Sequence, residues 1–329
     1  MVYNRCMRTV VGVLRGGPSS EYDVSLKTGA SVLAHIDRDA FDPRDIFIDK
    51  QGMWHLHGLA VPPERALYGV DVAFNAMHGE FGEDGRVQRL LDALAVPYTG
   101  SGAFASNLAF NKHLTKEAVK KLGVKTAHGI VADPPAGGQD GIEALAQRLF
   151  RTFPHPAVVK PVASGSSVGV AVAHDFNGLI HALERAFNVA DRVLVEEYIK
   201  GREATVGVID DFRGERAYAL MPVEILPPPH LGFFSYEAKY GGETQELVPS
   251  TFTDAQKKEL IRMAKAVHEG LSVSHYSRSD FIVSRRGVYF LEVNTLPGLT
   301  EESLLPKAIR AAGSSLKEFI SHVITLAKR

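Results

Sequence analysis

The chain has 329 residues, 45% of them hydrophobic and 23% charged, which is enough for about two globular domains with full cores. A formal net charge of -1 excludes the strongly basic surface that attracts nucleic acids or anionic membranes, and no apolar run reaches the length of a membrane-spanning helix. The single cysteine, Cys6, excludes an internal disulfide, and no signal-peptide pattern precedes the first apolar run. We therefore expect a cytoplasmic protein that binds neither nucleic acid nor membrane.

Strand and helix patterns alternate in the first third of the chain. Short apolar runs predict strands over 9–14, 45–49 and 70–77, and apolar residues at helical spacing predict helices over 25–33 and 84–94. Strands that alternate with helices favour a parallel sheet with right-handed connections. We therefore expect an α/β domain at the N-terminus.

The pattern changes at Asn111, where a basic amphipathic helix begins that ends at Gly123. Strand-like runs follow over 125–133, the two arms of 157–172, 193–199, 203–210 and 215–225. A loop is predicted over 133–141. The segment 227–248 has no regular period, which is typical of a lid or a binding loop. Near the end we predict a capping box at 253–256 ahead of a helix, a hairpin over 277–294 and two closing helices.

The stretch VVKPVASGSSVGV (158–170) combines a strand that ends in Lys160 with a loop of small residues. Backbone N–H groups in such a loop point into a shared concavity that suits phosphate oxygens, and a lysine adds a positive charge. No G-K-[ST] sequence follows, so this is not a Walker loop. Taken alone, the stretch fits a flexible hairpin with a surface lysine equally well.

The stretch FLEVNTLPGLT (290–300) places Glu292 and Asn294 two residues apart on a predicted strand, so that they share one face, with Leu291 on the other. Asp280, on the neighbouring predicted strand, can join them. Two carboxylates and an amide oxygen form a hard-oxygen site that suits Mg²⁺ held also by phosphates. The alternative is a solvated strand face.

Further charged residues lie in turns that follow predicted strands. Glu21 lies in the Gly/Ser-rich turn GGPSSEYDVS (16–25), where a carboxylate would repel a phosphate. His78 follows a strand where open α/β sheets bind ligands, and it can stabilise negative charge or simply hydrogen-bond the turn. Glu196 and Glu197, at a strand end, can hold an adenine amine or ribose hydroxyls, or form an ordinary turn.

Five segments, in this order, resemble the motifs of the D-alanine–D-alanine ligases of the ATP-grasp superfamily. They are GGPSSEYDVS, HGEFGEDG with VPYTGSG, VVKPVASGSSVGV, YEAKY, and DF…FLEVNTLPGLTEESL, so the resemblance runs nearly the whole chain. It implies an α/β fold with an α+β C-terminal part, and ATP between the sheets of the last two domains. The implied domains are an N-terminal substrate domain (1–108), a central ATP-grasp subdomain (109–188) and a C-terminal ATP-grasp domain (189–329) with a lid at about 227–248.

The same resemblance implies a role for each matching residue. Glu21 would contact the ammonium group of the first D-alanine, Ser166 and Tyr240 would link to it, and Arg278 with the N–H of Gly298 would form the oxyanion site. The other implied substrate contacts are Val24, His78, Ser303 and Leu304. The implied nucleotide contacts are Lys112, Lys160, Ser166, Ser167, Val168, Glu196, Glu197, Ile199, Glu203 and Lys239. The implied Mg²⁺ ligands, with Mn²⁺ as an alternative ion, are Asp280, Glu292 and Asn294.

The implied reaction joins two D-alanines into D-alanyl-D-alanine for peptidoglycan precursor synthesis, driven by ATP through an acyl phosphate. The implied partners are D-alanine, ATP and a second copy of the chain, because family members are commonly homodimers. The alternatives are a D-alanine–D-lactate or D-alanine–D-serine ligase and a non-catalytic ATP-grasp nucleotide-binding protein. Tyr240 argues against an ester-forming ligase, and the complete set of reacting residues argues against a non-catalytic protein.

Four positions, in three places, depart from the family pattern. Asn111 stands where an aspartate usually precedes the phosphate lysine, Phe234 and Ser235 stand where Tyr and Asp are common, and Arg89 stands where a glycine is frequent. We expect the first two departures to change local hydrogen bonds without removing a reacting group. Arg89 is expected to alter packing near the substrate domain.

Overall fold

The computed structural model of the chain describes residues 8–165, 169–228 and 244–329. Three β-sheets follow one another along the sequence, and helices pack against them. The fold is therefore mixed α/β, as the sequence predicts. In the described ranges, no helix combines the length and the apolar character needed to cross a membrane.

The first sheet belongs to the N-terminal part. Its strands are β1 (Thr9–Gly16), β2 (Phe41–Ile48), β3 (Trp54–Leu56), β4 (Leu59–Val61) and β5 (Val72–Asn75), and the helices are α1 (Tyr22–His35), α2 (Pro63–Ala66) and α3 (Arg86–Ala93). The strand order is β4-β3-β2-β1-β5, and β1 is parallel to both of its neighbours. The predicted parallel pairing is confirmed. The antiparallel β3–β4 hairpin was not predicted, because strands of three residues show little periodicity.

The second sheet is antiparallel, with the order β6-β9-β7-β8. It follows the helices α4 (Ala103–Phe110) and α5 (Lys112–Lys120), and it consists of β6 (Gly129–Ala132), β7 (Ala157–Pro161), β8 (Ala171–Ala173) and β9 (Val193–Glu197). The helices α6 (Gly138–Thr152) and α7 (Phe176–Phe187) pack on it. The predicted loop 133–141 is therefore too long, since its last four residues already belong to α6.

The third sheet is the largest. Its strands are β10 (Arg202–Phe212), β11 (Glu215–Ala219), β12 (Val223–Leu226), β13 (Gln245–Leu247), β14 (Tyr276–Ser284) and β15 (Gly287–Asn294), and the helices are α8 (Asp254–Gly270), α9 (Leu304–Ala311) and α10 (Leu316–Ala327). The order is β13-β12-β10-β14-β15, with β11 also paired to β10. The predicted capping box is confirmed, because Thr253 and Gln256 exchange both of its hydrogen bonds.

Two predictions about this sheet are wrong. The run 215–225 is two strands, not one, because Pro222 has no N–H with which to continue the ladder. The segment 227–248, predicted to be aperiodic throughout, contains β13. Most of that segment, residues 229–243, lies outside the described residues.

The strand β1 is buried on both faces, which accounts for its unbroken apolar run. Val11 and Val13 share a core with Phe319 and Ile320 of α10, whereas Leu14 packs on the other face with Met77. The N-terminal sheet is therefore packed against the C-terminal helices. This contact fixes the turn that follows β1 relative to the third sheet.

Candidate active site

A cleft lies between the second and third sheets and has an apolar part and a charged part. The apolar lining comes from strands of both sheets and includes Val158, Val172, Ile225, Ile282 and Leu291. The charged lining comprises Lys112, Lys160, Glu196, Glu197, Glu203, Asp280 and Glu292. The fold therefore brings together, on one cleft, seven charged residues that the sequence predicts for nucleotide or metal.

Leu291 lines this cleft although strict alternation places it on the opposite face from Glu292. The register between β14 and β15 shifts after Asp280, so that Phe281 pairs with Phe290 and Leu291 is an extra residue. A β-bulge of this kind turns the extra side chain out of the alternating pattern. The sequence prediction for Leu291 is therefore wrong, and the bulge adds an apolar wall beside Glu292.

Glu196 is held between two lysines at the base of the cleft. Lys160 Nζ lies 2.6 Å from Glu196 Oε2, and Lys116 Nζ contacts the other oxygen, Oε1. All three side chains are buried. Burial alone would raise the pKa of Glu196, but the two ammonium groups outweigh it and lower that pKa. Burial lowers the pKa of Lys116 to about 7, against the opposing attraction of Glu196.

Lys112 links the start of α5 to both sheets. Its Nζ donates a hydrogen bond to the carbonyl oxygen of Ser164 at 2.6 Å and lies 3.3 Å from Glu292 Oε2. Asn111 caps the helix, because its side-chain oxygen accepts a hydrogen bond from the N–H of Leu114 at 3.0 Å. An aspartate would do the same, so the departure at Asn111 leaves the placement of Lys112 unchanged.

Asp280 and Glu292 are directly opposite each other on the antiparallel strands β14 and β15, and Asn294 is opposite Arg278. Arg278 Nε and Nη2 donate to the two oxygens of Asp280 at 3.0 and 2.9 Å. Burial lowers the pKa of Arg278, but Asp280 outweighs it, so the pKa is raised. The oxygens of Asp280, Glu292 and Asn294 share one face, and this donor set fits the hard-oxygen preference of Mg²⁺.

The turn that follows β1 brings Glu21 to the loop that follows β7. A Cβ atom added to Gly165 would overlap Glu21 Oε2, and one added to Gly79 would lie 2.8 Å from the same oxygen. The Glu21 carboxylate therefore packs against the backbone of both glycines and leaves no room for a larger residue at either position. Glu83 lies on the far side of Gly79 and accepts a hydrogen bond from its N–H at 2.7 Å. Burial, with the negative charge of Glu21, raises the pKa of Glu83.

His78 is buried beside this turn and is neutral near pH 7. Its Nε2 lies 2.8 Å from Thr28 Oγ1, and its N–H donates to Ser25 Oγ at 2.9 Å. Burial lowers the pKa of His78 to about 4, although a hydrogen bond with the backbone of Leu296 opposes this shift. Both interpretations of His78 are thus compatible with the geometry, because it hydrogen-bonds the turn and lies near Arg278.

Gly298 and Ser303 lie close to each other at the start of α9. A Cβ on Gly298 would lie 2.9 Å from Ser303 Oγ, so only glycine leaves room there. Ser303 Oγ also lies 2.8 Å from Thr300 Oγ1, and the adjacent Leu304 is buried. Val24 is half-buried in the first turn of α1, three residues after Glu21.

Some predicted residues are elsewhere or are not described. Ser166, Ser167, Val168, Lys239, Tyr240 and the departures Phe234 and Ser235 lie outside the described residues. Glu197 lines the cleft, but its carboxylate contacts the N–H of His128 at 3.1 Å and Arg286 Nη2 at 3.1 Å. Ile199 is buried in the apolar lining. Arg89 is exposed on α3, so the expectation that it alters packing is wrong.

Two charged residues of the site were missed by the sequence analysis. Lys116 lies one turn after Lys112 on the same helical face, and this i, i+4 spacing was the available signal. Glu83, in the stretch HGEFGEDG, was assigned no part in the site, although it is buried and close enough to Glu21 for that negative charge to raise its pKa. Nothing in the sequence reveals that it lies beside a second carboxylate.

The comparisons with known proteins agree with this geometry. A family model described as "D-ala D-ala ligase C-terminus" matches residues 121–325, and "D-ala D-ala ligase N-terminus" matches residues 10–64 and 59–101. The chain belongs to the D-alanine–D-alanine ligase family. It is therefore an enzyme of a family of ATP-dependent ligases that join two D-alanines for peptidoglycan precursor synthesis.

Individual relatives match over almost their whole lengths. The D-alanine–D-alanine ligase of Syntrophotalea carbinolica is 39% identical over 316 residues, which cover 95% of this chain and 94% of the relative. That of Geobacter sulfurreducens is 36% identical, covering 100% of this chain and 97% of the relative. Among solved structures, the VanG D-Ala:D-Ser ligase from Enterococcus faecalis has a TM-score of 0.83 at 25% identity, covering 98% of this chain and 100% of the other. The D-alanine–D-alanine ligase from Coxiella burnetii has a TM-score of 0.82 at 26% identity, covering 98% and 94%. The predicted ATP-grasp fold is confirmed.

Proposed function

We propose that this chain joins two D-alanines in one continuous site, with ATP in the cleft and the first D-alanine at the turn of residues 16–25. The juxtaposition of Glu21 with Gly165 is the observation that carries this proposal, because Gly165 follows the lysine strand of the cleft. An acid suits the ammonium group of D-alanine, and lysines suit phosphates. The proposed D-alanine site and the proposed ATP site therefore adjoin each other at the loop that follows β7.

The cleft suits ATP along its whole length. The apolar walls fit an adenine ring, and the end of β9, with Glu196, Glu197 and Ile199, offers polar backbone groups for that ring's edge. Glu203, on β10, is the proposed ribose contact. Lys112 and Lys160 are the proposed phosphate contacts, together with Ser166, Ser167, Val168 and Lys239, which are proposed from the sequence alone.

Asp280, Glu292 and Asn294 are the proposed ligands of the divalent cation, for which we propose Mg²⁺, with Mn²⁺ as a substitute. When bound, such an ion neutralises the charge of the transferring phosphoryl group. Arg278 already pairs with Asp280 through two hydrogen bonds and orients that carboxylate. Lys112, which reaches Glu292, adds positive charge on the same side.

The first proposed step is phosphoryl transfer. The carboxylate of the first D-alanine attacks the γ-phosphorus of ATP, the bond to the bridging oxygen breaks, and ADP leaves. Glu21 holds the substrate ammonium group, and Lys112 with Lys160 stabilises the charge on the phosphates. The product is D-alanyl phosphate.

The second proposed step is acyl transfer. The amine of the second D-alanine attacks the acyl carbon, loses a proton, and expels inorganic phosphate. Arg278 and the N–H of Gly298 are the proposed donors to the tetrahedral oxyanion. Ser303 and Leu304 are the proposed contacts of the second carboxylate, and Val24 and His78 are proposed to line the substrate side of the turn.

D-serine is the second candidate for the acceptor, since a D-Ala:D-Ser ligase has a closely similar fold. D-lactate is the less favoured acceptor because of Tyr240, which we propose links to Ser166 and Glu21. The variant Tyr240→Phe is expected to lose dipeptide synthesis by about one to two decades and to gain D-lactate incorporation relative to D-alanine. Wild-type dipeptide rates without depsipeptide would contradict this role.

We also propose three domains, a homodimer and a cytoplasmic location. The sheets support a division near residue 108, but β9 pairs with β6 and β7 of the second sheet. The boundary between the central and C-terminal domains is therefore better drawn after Glu197 than at residue 189. Size-exclusion chromatography with light scattering tests the dimer.

A coupled assay of ADP release tests the proposed function. We expect ADP to form from ATP only when D-alanine is added, and D-serine or D-lactate to be used more slowly as acceptor in the presence of D-alanine. ATP turnover that is independent of D-alanine would contradict it. A faster rate with D-serine would assign the chain to the second candidate.

A further inference from the structure

The buried group formed by Lys116, Glu196 and Lys160 pairs one carboxylate with two lysine side chains. Each oxygen of Glu196 contacts a different ammonium group, and the three residues are 3%, 3% and 7% exposed. One lysine is enough to neutralise one carboxylate. A second buried ammonium group is costly, because its own desolvation is not offset by a second carboxylate.

The two lysines differ in their access to the cleft. Lys160 and Glu196 both line it, whereas Lys116 lies behind Glu196 on α5, away from the described residues that form the lining. Lys160 also faces the carboxylate of Glu292 across the cleft, which contributes to its raised pKa. Lys160 therefore has an alternative anionic partner on the cleft side, whereas the structure gives Lys116 a contact with the carboxylate of Glu196 and one with the side chain of Lys160.

We propose that Lys116 is a positioning residue, a counter-ion that stays with Glu196 and allows Lys160 to transfer its ammonium group from Glu196 to the polyphosphate of a bound nucleotide. This inference rests on the proposed use of the cleft for ATP. When Lys160 engages phosphate, Glu196 remains neutralised by Lys116. Without Lys116, the same movement would leave a buried carboxylate unpaired next to the phosphate anions, and binding would be weaker.

The competing interpretation is that Lys116 only ties α5 to β9. In that case its removal would lower the melting temperature without a selective effect on nucleotide binding. The proposal, in contrast, places the effect on nucleotide affinity and makes it depend on the charge of Glu196. These two expectations separate a positioning role from a structural one.

The variant Lys116→Met removes the ammonium group and keeps an unbranched side chain. We expect the dissociation constant of ADP, measured by calorimetry, to rise at least about tenfold, and the KM for ATP to rise with it. The KM for D-alanine should change by less than about threefold. Lys120→Met is the matched control, because Lys120 lies one turn further along α5, is exposed and pairs with Glu117 on the helix surface.

The double variant Lys116→Met/Glu196→Gln tests whether Lys116 acts through Glu196. Once the carboxylate is an amide, no buried anion needs a counter-ion, so the double variant should bind ADP within about twofold of Glu196→Gln alone. This comparison also holds if Lys116→Met alone does not fold, because the double variant carries no uncompensated carboxylate. If the loss of ADP affinity in the double variant equalled the sum of the losses in Lys116→Met and Glu196→Gln, in free-energy terms, the proposal would be overturned.

An unchanged ADP affinity of a folded Lys116→Met protein would overturn it as well. Lys160→Met distinguishes this failure from a failure of the proposed nucleotide site. If Lys160→Met also bound ADP like the unmodified protein, the assignment of the cleft would be wrong. If Lys160→Met lost binding while Lys116→Met kept it, only the role of Lys116 would be wrong.

Discussion

Arg278 and Lys116 are both buried cations, yet their surroundings shift their pKa values in opposite directions. Burial lowers the pKa of each, but two hydrogen bonds from Arg278 to Asp280 reverse the shift for the arginine. Lys116 shares the carboxylate of Glu196 with Lys160, and its pKa falls to about 7. The charge of Arg278 is therefore permanent, whereas that of Lys116 depends on Glu196.

Residue types predicted most of the site, because carboxylates, lysines and an arginine at motif spacing are rarely found together outside a nucleotide or metal site. They did not predict Lys116, since a basic amphipathic helix normally directs its lysines to water. In the folded protein, the ion pair with Glu196 of β9 holds this lysine in the interior. The proximity of the Glu21 and Glu83 charges is likewise a relation between distant turns, which local sequence patterns do not reveal.

The metal assignment predicts the effect of Glu292→Gln. This change removes one negative oxygen from the proposed ligand set but keeps the size of a side chain that is 33% exposed, so the fold should survive. We expect the turnover number at ordinary Mg²⁺ to fall by about two decades or more, with an unchanged melting temperature. Glu259→Gln, a partly exposed acid paired with Arg262 on α8, is the control. A near-normal rate in the Glu292 variant would contradict the assignment.

Glu21→Gln tests the substrate side of the site. If Glu21 binds the ammonium group as proposed, removing its charge should raise the KM for the first D-alanine by at least about tenfold. The KM for ATP should change far less, because the nucleotide contacts come from other elements. Steady-state kinetics with each substrate varied in turn provides the measurement. A loss of ATP affinity with normal D-alanine kinetics would assign the turn to the nucleotide.

His78 predicts a pH dependence of stability. Its pKa is about 4 in the folded protein and 6.5 when exposed, so the unfolded chain binds a proton that the folded chain excludes. The stability it contributes is fully present above pH 6.5 and is lost as the pH falls toward 4. Between about pH 7.5 and pH 4.5, the free energy of unfolding in urea should fall by about 2–3 kcal/mol more for the unmodified protein than for His78→Asn. Parallel pH curves for the two proteins would contradict this burial effect.

At the scale of elements, periodicity predicted the long strands and helices and failed where one residue breaks the pattern. Pro222 divides the run 215–225 because it cannot donate a backbone hydrogen bond. The bulge at Leu291 places this side chain on the face opposite to the one expected, and the bulge is visible only in the register between β15 and its partner β14. Both failures concern the way in which a strand pairs with its neighbours, and the sequence of one strand alone does not reveal that pairing.

The contact between the turn of residues 16–25 and the loop after β7 predicts that Gly165→Ala impairs catalysis. The added methyl group overlaps the Glu21 carboxylate and should push the loop and the turn apart. We expect kcat/KM for D-alanine to fall by at least about tenfold, with only a small change in melting temperature. Gly102→Ala is the control, because its nearest neighbour, Tyr98 Oη, lies 3.8 Å from the added atom. Equal activities of the two variants would show that this contact does not position the substrate.

At the scale of the whole molecule, the ordered set of five motifs predicted the fold better than any single pattern. The cleft between the second and third sheets, and the packing of the N-terminal sheet on the C-terminal helices, bring the described parts of four of these motifs together from distant parts of the chain; the fifth, YEAKY, lies outside the described residues. The hydrogen bond from Ser31 to Leu299 illustrates this with its separation of 268 residues. Long-range contacts of this kind make the site a property of the complete chain. They are also the reason why the boundary that we propose after β9 could not be located from composition alone.

The transfer of oxygen from D-alanine to phosphate tests the central claim most directly. In the proposed reaction, the carboxylate oxygen that attacks ATP leaves with inorganic phosphate when the second amine attacks. Incubation with ATP and D-alanine labelled with ¹⁸O in its carboxyl group, followed by mass spectrometry, should give one ¹⁸O-labelled phosphate for each D-alanyl-D-alanine formed. Unlabelled phosphate, or label recovered in AMP, would contradict an acyl-phosphate ligase.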